Sequence, residues 1–281
     1  MTPQRANVLL VAIIGVLLVS LVLALAPEAR RLGDRHQTTL HLKEMVLAMY
    51  GCADMHKGRI PPAFDQFKGI TYPASVHVHL LPFLKQDDLY KTFLKEGQGN
   101  AEAEVLVFQG LDDPSIVRLA GIQNFGANLR VFSDKGVATL YDADMPPLAA
   151  VEPGTAAIPK TFTDGTSNTI VFSTKMAECG RGGSRYSANP TSLFAAFIGQ
   201  NPARESAAPD DPRATFLLQP GTDECLVSPL MAQSFDPDRI LVALGDGSVR
   251  SVMATIDPGV WNQAMQPNDG RTLGGGVEPD N

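Results

Sequence analysis

The most distinctive pattern in the chain is an uncharged apolar run from Val8 to Ala26, in which Ser20 is the only polar side chain. In a helix that rises about 1.5 Å per residue, this run extends about 28 Å, close to the thickness of a bilayer hydrocarbon core, about 30 Å. A helix in a soluble core usually keeps a polar face, and this run has none. The pattern therefore predicts a membrane span that contacts lipid through these residues.

A cleaved signal peptide is the alternative interpretation of the same run. Arg5 precedes it, and Ala24, Leu25 and Ala26 form an A-x-A cleavage pattern. However, the run is longer than the apolar part of a signal peptide, about 7 to 15 residues. Pro27 would follow the cleaved bond and would make it a tertiary amide, so we expect poor cleavage and a retained anchor.

Beyond Pro27 the pattern changes to that of an amphipathic helix. From Leu42 to Tyr50, apolar residues recur at i, i+3, i+4, i+7 and i+8. Gly58, followed by Pro61 and Pro62, is a helix stop signal. The sequence thus predicts one very long helix, half in lipid and half packed on a globular head, with a kink at Pro27.

The rest of the chain predicts mainly short strands and turns. The alternation from Val76 to Leu80 is typical of a strand, whereas Asp87 to Lys95 has helical spacing. Asp246 and Gly247 favour a tight turn between the last two strands, and Asp257 is expected to cap a short helix that buries Trp261. The later strand candidates are Glu104 to Phe108, Leu129 to Phe132, Thr169 to Ser173, Leu193 to Ile198, Arg239 to Leu244 and Ser248 to Met253.

These elements predict an α+β fold in which the long helix packs on an antiparallel sheet. Residues 1–27 form the expected anchor, residues 28–266 the α+β domain, and residues 267–281 a tail expected to be disordered. The roughly 250 residues after the anchor are enough to bury a full core.

Charge and cysteine content narrow the function. With 30 acidic and 23 basic residues the net charge is −7, and no basic stripe is present, which argues against a nucleic-acid partner. None of the three cysteines has C-x-x-C spacing, so a thiolate zinc site or a redox motif is not indicated. Cys179 and Cys225 could pair in an oxidising compartment and leave Cys52 free, or all three could be buried thiols.

Candidate metal ligands are few. Asp164, Asp236 and Asp246 supply the carboxylates that Ca²⁺ prefers, although Asp164 also begins a D-G-T-S-N stretch that suits a turn. His77 and His79 would share a strand face but have no third ligand, so a role as ordinary strand residues is favoured.

The chain has no G-x-S-x-G elbow, the motif of a serine nucleophile, and no G-x-x-x-x-G-K-[ST] phosphate-binding loop. We therefore predict no enzyme and no cofactor; Ca²⁺ at Asp164, Asp236 and Asp246 is kept as a candidate, and a turn is the favoured interpretation of the D-G-T-S-N stretch.

Five stretches in order resemble one family, the bacterial prepilin-like or pseudopilin-like membrane proteins of unknown function with a C-terminal H-x9-D-G signature. They are VAIIGVLLVSLVLALAPEARR, HLKEMVLAMYGCADMHKGRIPPAF, SVHVHLLPFLKQDDLYKTF, TDGTSNTIVFSTK and LGDGSVRSVMATIDPGVWNQAMQPNDG. The resemblance implies a pilin-like fold. It also implies a head on the outer face of the cytoplasmic membrane, an orientation that the arginines on both sides of the apolar run do not decide.

The chain departs from the family pattern at three positions. Met1 and Ala6 stand where type IV prepilins carry the glycine before the cleaved bond and the docking glutamate, and Asp236 stands at the signature histidine. The resemblance therefore implies a divergent, uncleaved, single-pass member.

Two functions follow as expectations. The first is a non-enzymatic membrane-anchored interaction protein of a secretion-type or cell-envelope assembly, with pilin-like or envelope proteins as partners. The alternative is an extracytoplasmic solute- or glycan-binding protein, with a pocket formed by the loops from Cys179 to Arg213 and the Asp-rich turns. A hydrolase would need a Ser or Cys beside a His in the folded chain.

Overall fold

The computed structural model describes residues 3–96, 99–116, 120–133, 154–190, 192–199, 215–221 and 230–271. In the first helix, the described side chains begin at Ile13 and leave out residues 18, 19 and 21–25. Among the residues so described, no helix is both long enough and apolar enough to cross a membrane. The fold is mixed α+β and begins with a long helix.

The first helix, α1, extends over Pro3–Met55 and continues through Pro27. Its side chains are exposed from residue 26 to residue 33, and its buried side chains begin at Thr38. The predicted apolar stripe is confirmed, since Leu42, Met45, Val46 and Met49 are fully buried. Just beyond the helix, Gly58 has a φ of +85° and its N–H donates to the Ala53 carbonyl at 2.8 Å. Glycine adopts this left-handed conformation without the steric cost that other residues bear.

The remaining described elements are short. The helices are α2 (Val76–Leu80), α3 (Asp87–Glu96), α4 (Leu129–Phe132) and α5 (Pro258–Met265). The strands are β1 (Phe64–Phe67), β2 (Ile70–Ser75), β3 (Phe125–Asn128), β4 (Ile170–Thr174), β5 (Glu178–Cys179), β6 (Gly182–Gly183), β7 (Phe197–Ile198), β8 (Leu217–Leu218), β9 (Gln233–Ser234), β10 (Arg239–Leu244) and β11 (Val249–Met253).

A five-stranded sheet with the order β11-β10-β4-β3-β7 forms the centre of the head. Its pairs are antiparallel except β3 with β7, which are parallel. The expected purely antiparallel sheet is therefore wrong at this edge. Helix α1 packs on β10, β4 and β11, which confirms the predicted packing of the long helix on a sheet.

Strand β10 shows how the sheet lies between two helices. Leu241 and Ala243 join the core on the α1 side, whereas Val242 and Leu244 join a second cluster around Trp261 of α5. Successive side chains of a strand point to opposite faces, so a segment covered on both sides is apolar at successive positions. The unbroken apolar run from Ile240 to Leu244 in β10 follows from this arrangement.

The closing hairpin is confirmed. Strands β10 and β11 pair in register from Arg239 opposite Met253, and the turn between them contains Asp246 and Gly247. The Asp246 carboxylate accepts a hydrogen bond from the Ser248 N–H at 2.8 Å, and Gly247 has a φ of +87°. These are the roles that aspartate and glycine take in tight turns.

Three predicted strands are helical instead. Val76–Leu80 forms α2, because Ser75 caps it by accepting from the Val78 N–H at 3.3 Å and every side chain of the segment is buried. Because every side chain is buried, the alternation of valine and histidine does not mark one buried and one exposed face, and it therefore does not indicate a strand. Asn128 caps α4 in the same way by accepting from the Arg130 N–H, and the segment from Glu104 to Phe108 contains a 3₁₀ turn at Leu106–Phe108.

Several other predictions are confirmed. Helix α3 and strands β4, β10 and β11 lie where the pattern placed them, although β7 covers only the last two residues of its predicted segment. Asp257 caps α5, and Trp261 is buried. Of the expected tail, residues 267–271 are described and held at Asp164, as detailed below, and residues 272–281 lie outside the described residues.

Candidate functional site: a cleft beside a glycine-rich hairpin

A tight hairpin formed by β5 and β6 carries the candidate site. Its two turn residues are Gly180 and Arg181, and Gly180 has a φ of +59°, which suits the first position of a two-residue turn. Cys179, directly before the turn, is disulfide-bonded. Cys225 lies outside the described residues. Cys52 is a free, buried thiol, and burial raises its pKa to about 12.

The hairpin borders a cleft of about 590 Å³, here called the hairpin cleft. A pocket of about 300 to 1,000 Å³ is the usual size for a small-molecule site. Charged, polar and aromatic side chains contribute to its lining, among them Glu102, Glu178, Arg181, Arg185, Ser187 and Phe194.

Arg185 and Glu178 form a fixed pair in the cleft wall. The Arg185 Nη2 donates to Glu178 Oε1 at 2.8 Å, and its Nη1 donates to the carbonyls of Ala177 and Ser184 at 2.6 and 3.0 Å. The guanidinium carbon lies 5.5 Å from the centre of the Phe194 ring, within the range of a cation–π contact. The charge of Arg185 is therefore compensated and its orientation fixed.

A buried carboxylate holds the base of the hairpin. Asp113 accepts hydrogen bonds from Asn124 Nδ2 at 2.6 Å and from the Ala177 N–H at 2.8 Å, and Ser115 donates to it through both its N–H and its hydroxyl. The Ser115 hydroxyl oxygen in turn accepts from the Glu178 N–H at 3.1 Å. Burial raises the pKa of Asp113, while the hydrogen bonds of Ala177 and Ser115 oppose that shift.

A second charged cluster joins α1 to the head, and we call its four residues the helix clamp: Arg31, Arg35, Asp236 and Ser251. Asp236 accepts from Arg31 at 2.8 Å and from Arg35 at 2.9 Å, and Arg35 also donates to the Ser251 hydroxyl at 2.8 Å. The hydrogen bond and charge of Asp236 raise the pKa of Arg31. Asp236, predicted as a calcium ligand, is thus an ion-pair partner of the first helix.

The other two predicted calcium ligands also have protein partners. Asp164 accepts from the N–H groups of Asp269 and Gly270 at 2.7 and 2.8 Å, and Asp246 accepts from Ser248. Within the described ranges, no group of three or more His, Cys, Asp or Glu side chains could hold a metal ion. The described structure therefore does not gather Asp164, Asp236 and Asp246 into one site.

The two histidines predicted on a strand face are buried in α2. His77 Nε2 lies 3.0 Å from the Phe125 carbonyl and His79 Nε2 lies 2.9 Å from the Asp65 carbonyl, so each Nε2 carries the proton. Burial lowers their pKa values to about 3 and about 4. Both imidazoles are neutral at pH 7, and their contacts identify them as core residues.

No protein-family model, no curated protein and no solved structure matches the chain.

The sequence pattern places a candidate pocket in the loop that begins at Cys179, but it does not predict the ion pair between Glu178 and Arg185. The stretch Cys179-Gly180-Arg181-Gly182 contains a hairpin signal, since glycine in a two-residue turn favours such a connection. Nothing in the spacing of Glu178 and Arg185 identifies their ion pair, because Glu178 lies in β5 and Arg185 lies two residues beyond the end of β6. Phe194 approaches them only through the tertiary fold.

Proposed function

We propose that this chain is a non-enzymatic, membrane-anchored protein of pilin-like architecture whose α+β head is an interaction domain outside the cytoplasmic membrane. The observation that carries the proposal is the continuity of α1. The helix contains the apolar run of residues 8–26, has exposed side chains over residues 26–33 and enters the core at Thr38. A bilayer that holds the first half would hold the head through one continuous helix.

The helix clamp supports this interpretation. It lies where the exposed part of α1 meets the head, and it ties two successive turns of the helix to Asp236. Such a contact resists separation of the helix from the sheet at the point where the anchor would transmit force.

The state of Cys179 supports the extracytoplasmic side. Disulfides form and persist in oxidising compartments and are rare in the bacterial cytoplasm. The disulfide-bonded Cys179 therefore favours a head outside the cytoplasmic membrane.

The partners that we propose are membrane lipid, through residues 8–26, and pilin-like or other envelope proteins of a secretion-type assembly, through the head. Binding is favoured over catalysis because the sequence lacks the nucleophile-elbow and phosphate-loop motifs. The carboxylates of Asp113, Asp164, Asp236 and Asp246 are engaged in structural contacts.

The test is carbonate extraction of membranes from cells that express the full chain, with mass spectrometry of the mature protein. We expect the chain in the membrane pellet with residues 8–26 intact, and we expect added protease to cleave the head only from the outer side. An Ile14→Arg/Leu17→Arg variant should leave the membrane, because each charge at a helix centre costs about 2.5 to 3.5 kcal/mol on insertion scales. An Ile14→Leu/Leu17→Ile variant is the matched control. A soluble chain that begins at Pro27 would contradict the proposal.

A further inference from the structure

We propose that the hairpin cleft binds a neutral saccharide. The inference goes beyond the anchoring function and does not depend on it, because it rests on the charges and surfaces of the cleft alone. With a volume of about 590 Å³, the cleft is large enough for one or two sugar rings.

The Arg185–Glu178 pair matches hydroxyl groups. Three hydrogen bonds use three of the five N–H donors of the Arg185 guanidinium, and Glu178 uses only Oε1. Among the described residues, the two remaining donors and Glu178 Oε2 have no hydrogen-bond partner. A hydroxyl both donates and accepts, so adjacent hydroxyls can bond to this pair without breaking it.

The charge balance of the cleft argues against an ionic ligand. Two carboxylates, Glu102 and Glu178, and two guanidinium groups, Arg181 and Arg185, line the cleft. An anion would have to compete with Glu178 for Arg185 and would be repelled by Glu102. A cation would have to compete with Arg185 for Glu178 and would be repelled by Arg181. An uncharged ligand rich in hydroxyls avoids both costs.

Phe194 supplies the apolar contact that a sugar also needs. The residue is 36% exposed beside the cleft, although phenylalanine is usually buried. One face of a pyranose consists of C–H groups, which pack on an aromatic ring, while the ring edge presents hydroxyls. The cleft therefore offers the Phe194 ring to the C–H face of a sugar and the Arg185–Glu178 pair to its hydroxyl groups.

The test is titration of the purified full-length chain with maltose, cellobiose and N,N′-diacetylchitobiose, followed by saturation-transfer NMR. Glycoside detergents must be absent, because their head groups would occupy the same cleft. We expect at least one disaccharide to bind saturably with a Kd below about 10 mM, and Phe194→Ala to weaken that binding about tenfold. Arg181→Ala, an exposed change at the hairpin tip, should weaken it as well.

Leu218→Ala is the matched control, because Leu218 is 37% exposed and does not line the cleft. It should leave the affinity unchanged. The proposal would be overturned if no disaccharide bound, if folded Phe194→Ala and Arg181→Ala variants bound like the parent, or if citrate bound more tightly than every sugar. Membrane extraction of the same protein is a separate measurement, so failure of the saccharide site leaves the anchor proposal standing.

Discussion

Replacement of Asp236 by asparagine should destabilise the head, because this carboxylate joins two arginines of α1 to the sheet. The change keeps the size of the side chain and removes its charge. Arg35 is only 20% exposed and Asp236 only 13% exposed, so the ion pair between them is largely shielded from solvent and its loss is costly. The remaining clamp contact of Arg35 would be the neutral Ser251 hydroxyl.

The loss of unfolding free energy in Asp236→Asn depends on how far solvent reaches the two ion pairs. A hydrogen bond to a charged group in a mostly buried position contributes about 1.5 to 3 kcal/mol. The pair with Arg31, whose side chain is 57% exposed, adds at most about 1 kcal/mol because solvent screens it. We therefore expect a loss of about 2 to 3 kcal/mol, which for a head of this size lowers the Tm by about 5 to 10 °C.

Thermal unfolding monitored by circular dichroism measures this loss on the full chain. Asp238→Asn is the matched control, because Asp238 is 49% exposed and pairs with its neighbour Arg239 at 3.0 Å. That variant should change the free energy of unfolding by less than about 1 kcal/mol. A double-mutant cycle should also give a larger coupling for Asp236 with Arg35 than with Arg31. The reasoning is refuted if Asp236→Asn and Asp238→Asn lower the Tm equally.

Three further predictions concern the core and the disulfide. The free energy of unfolding should fall as pH drops from 6.5 towards about 4, by about 1.4 kcal/mol per pH unit for each of His77 and His79. The cause is that the imidazoles bind protons in the unfolded chain but not when they are buried in the fold. Urea titrations across this pH range measure the slope. Trp261→Ala should cost about 3 to 5 kcal/mol in the same titrations, because its ring is buried against Phe216 at 5.1 Å between centres. Cys179→Ser should cost about 2 to 4 kcal/mol, and a reducing agent should destabilise the parent but not this variant.

The parts of the fold that could be predicted from sequence are those in which local pattern and tertiary role agree. The stripe from Leu42 to Tyr50 has one buried face, and the Asp246–Gly247 turn needs residues with particular backbone preferences. Segment Val76–Leu80 was mispredicted because burial on all sides removes the contrast between polar and apolar faces. There the Ser75 cap, rather than periodicity, determines the helix.

The helix clamp could not be predicted, because Arg31 and Arg35 lie 205 and 201 residues from Asp236. In the sequence, these arginines follow the apolar run. Because arginines lie on both sides of the run, the positive-inside rule does not decide which side of the membrane the head occupies. In the structure both Arg31 and Arg35 are partners of the head. Arg30 is the remaining arginine of this flank; its side chain is 85% exposed and lies 3.8 Å from Asp34 of the same helix. The contact between helix and sheet therefore explains Arg31 and Arg35, and the orientation of the head stays a prediction.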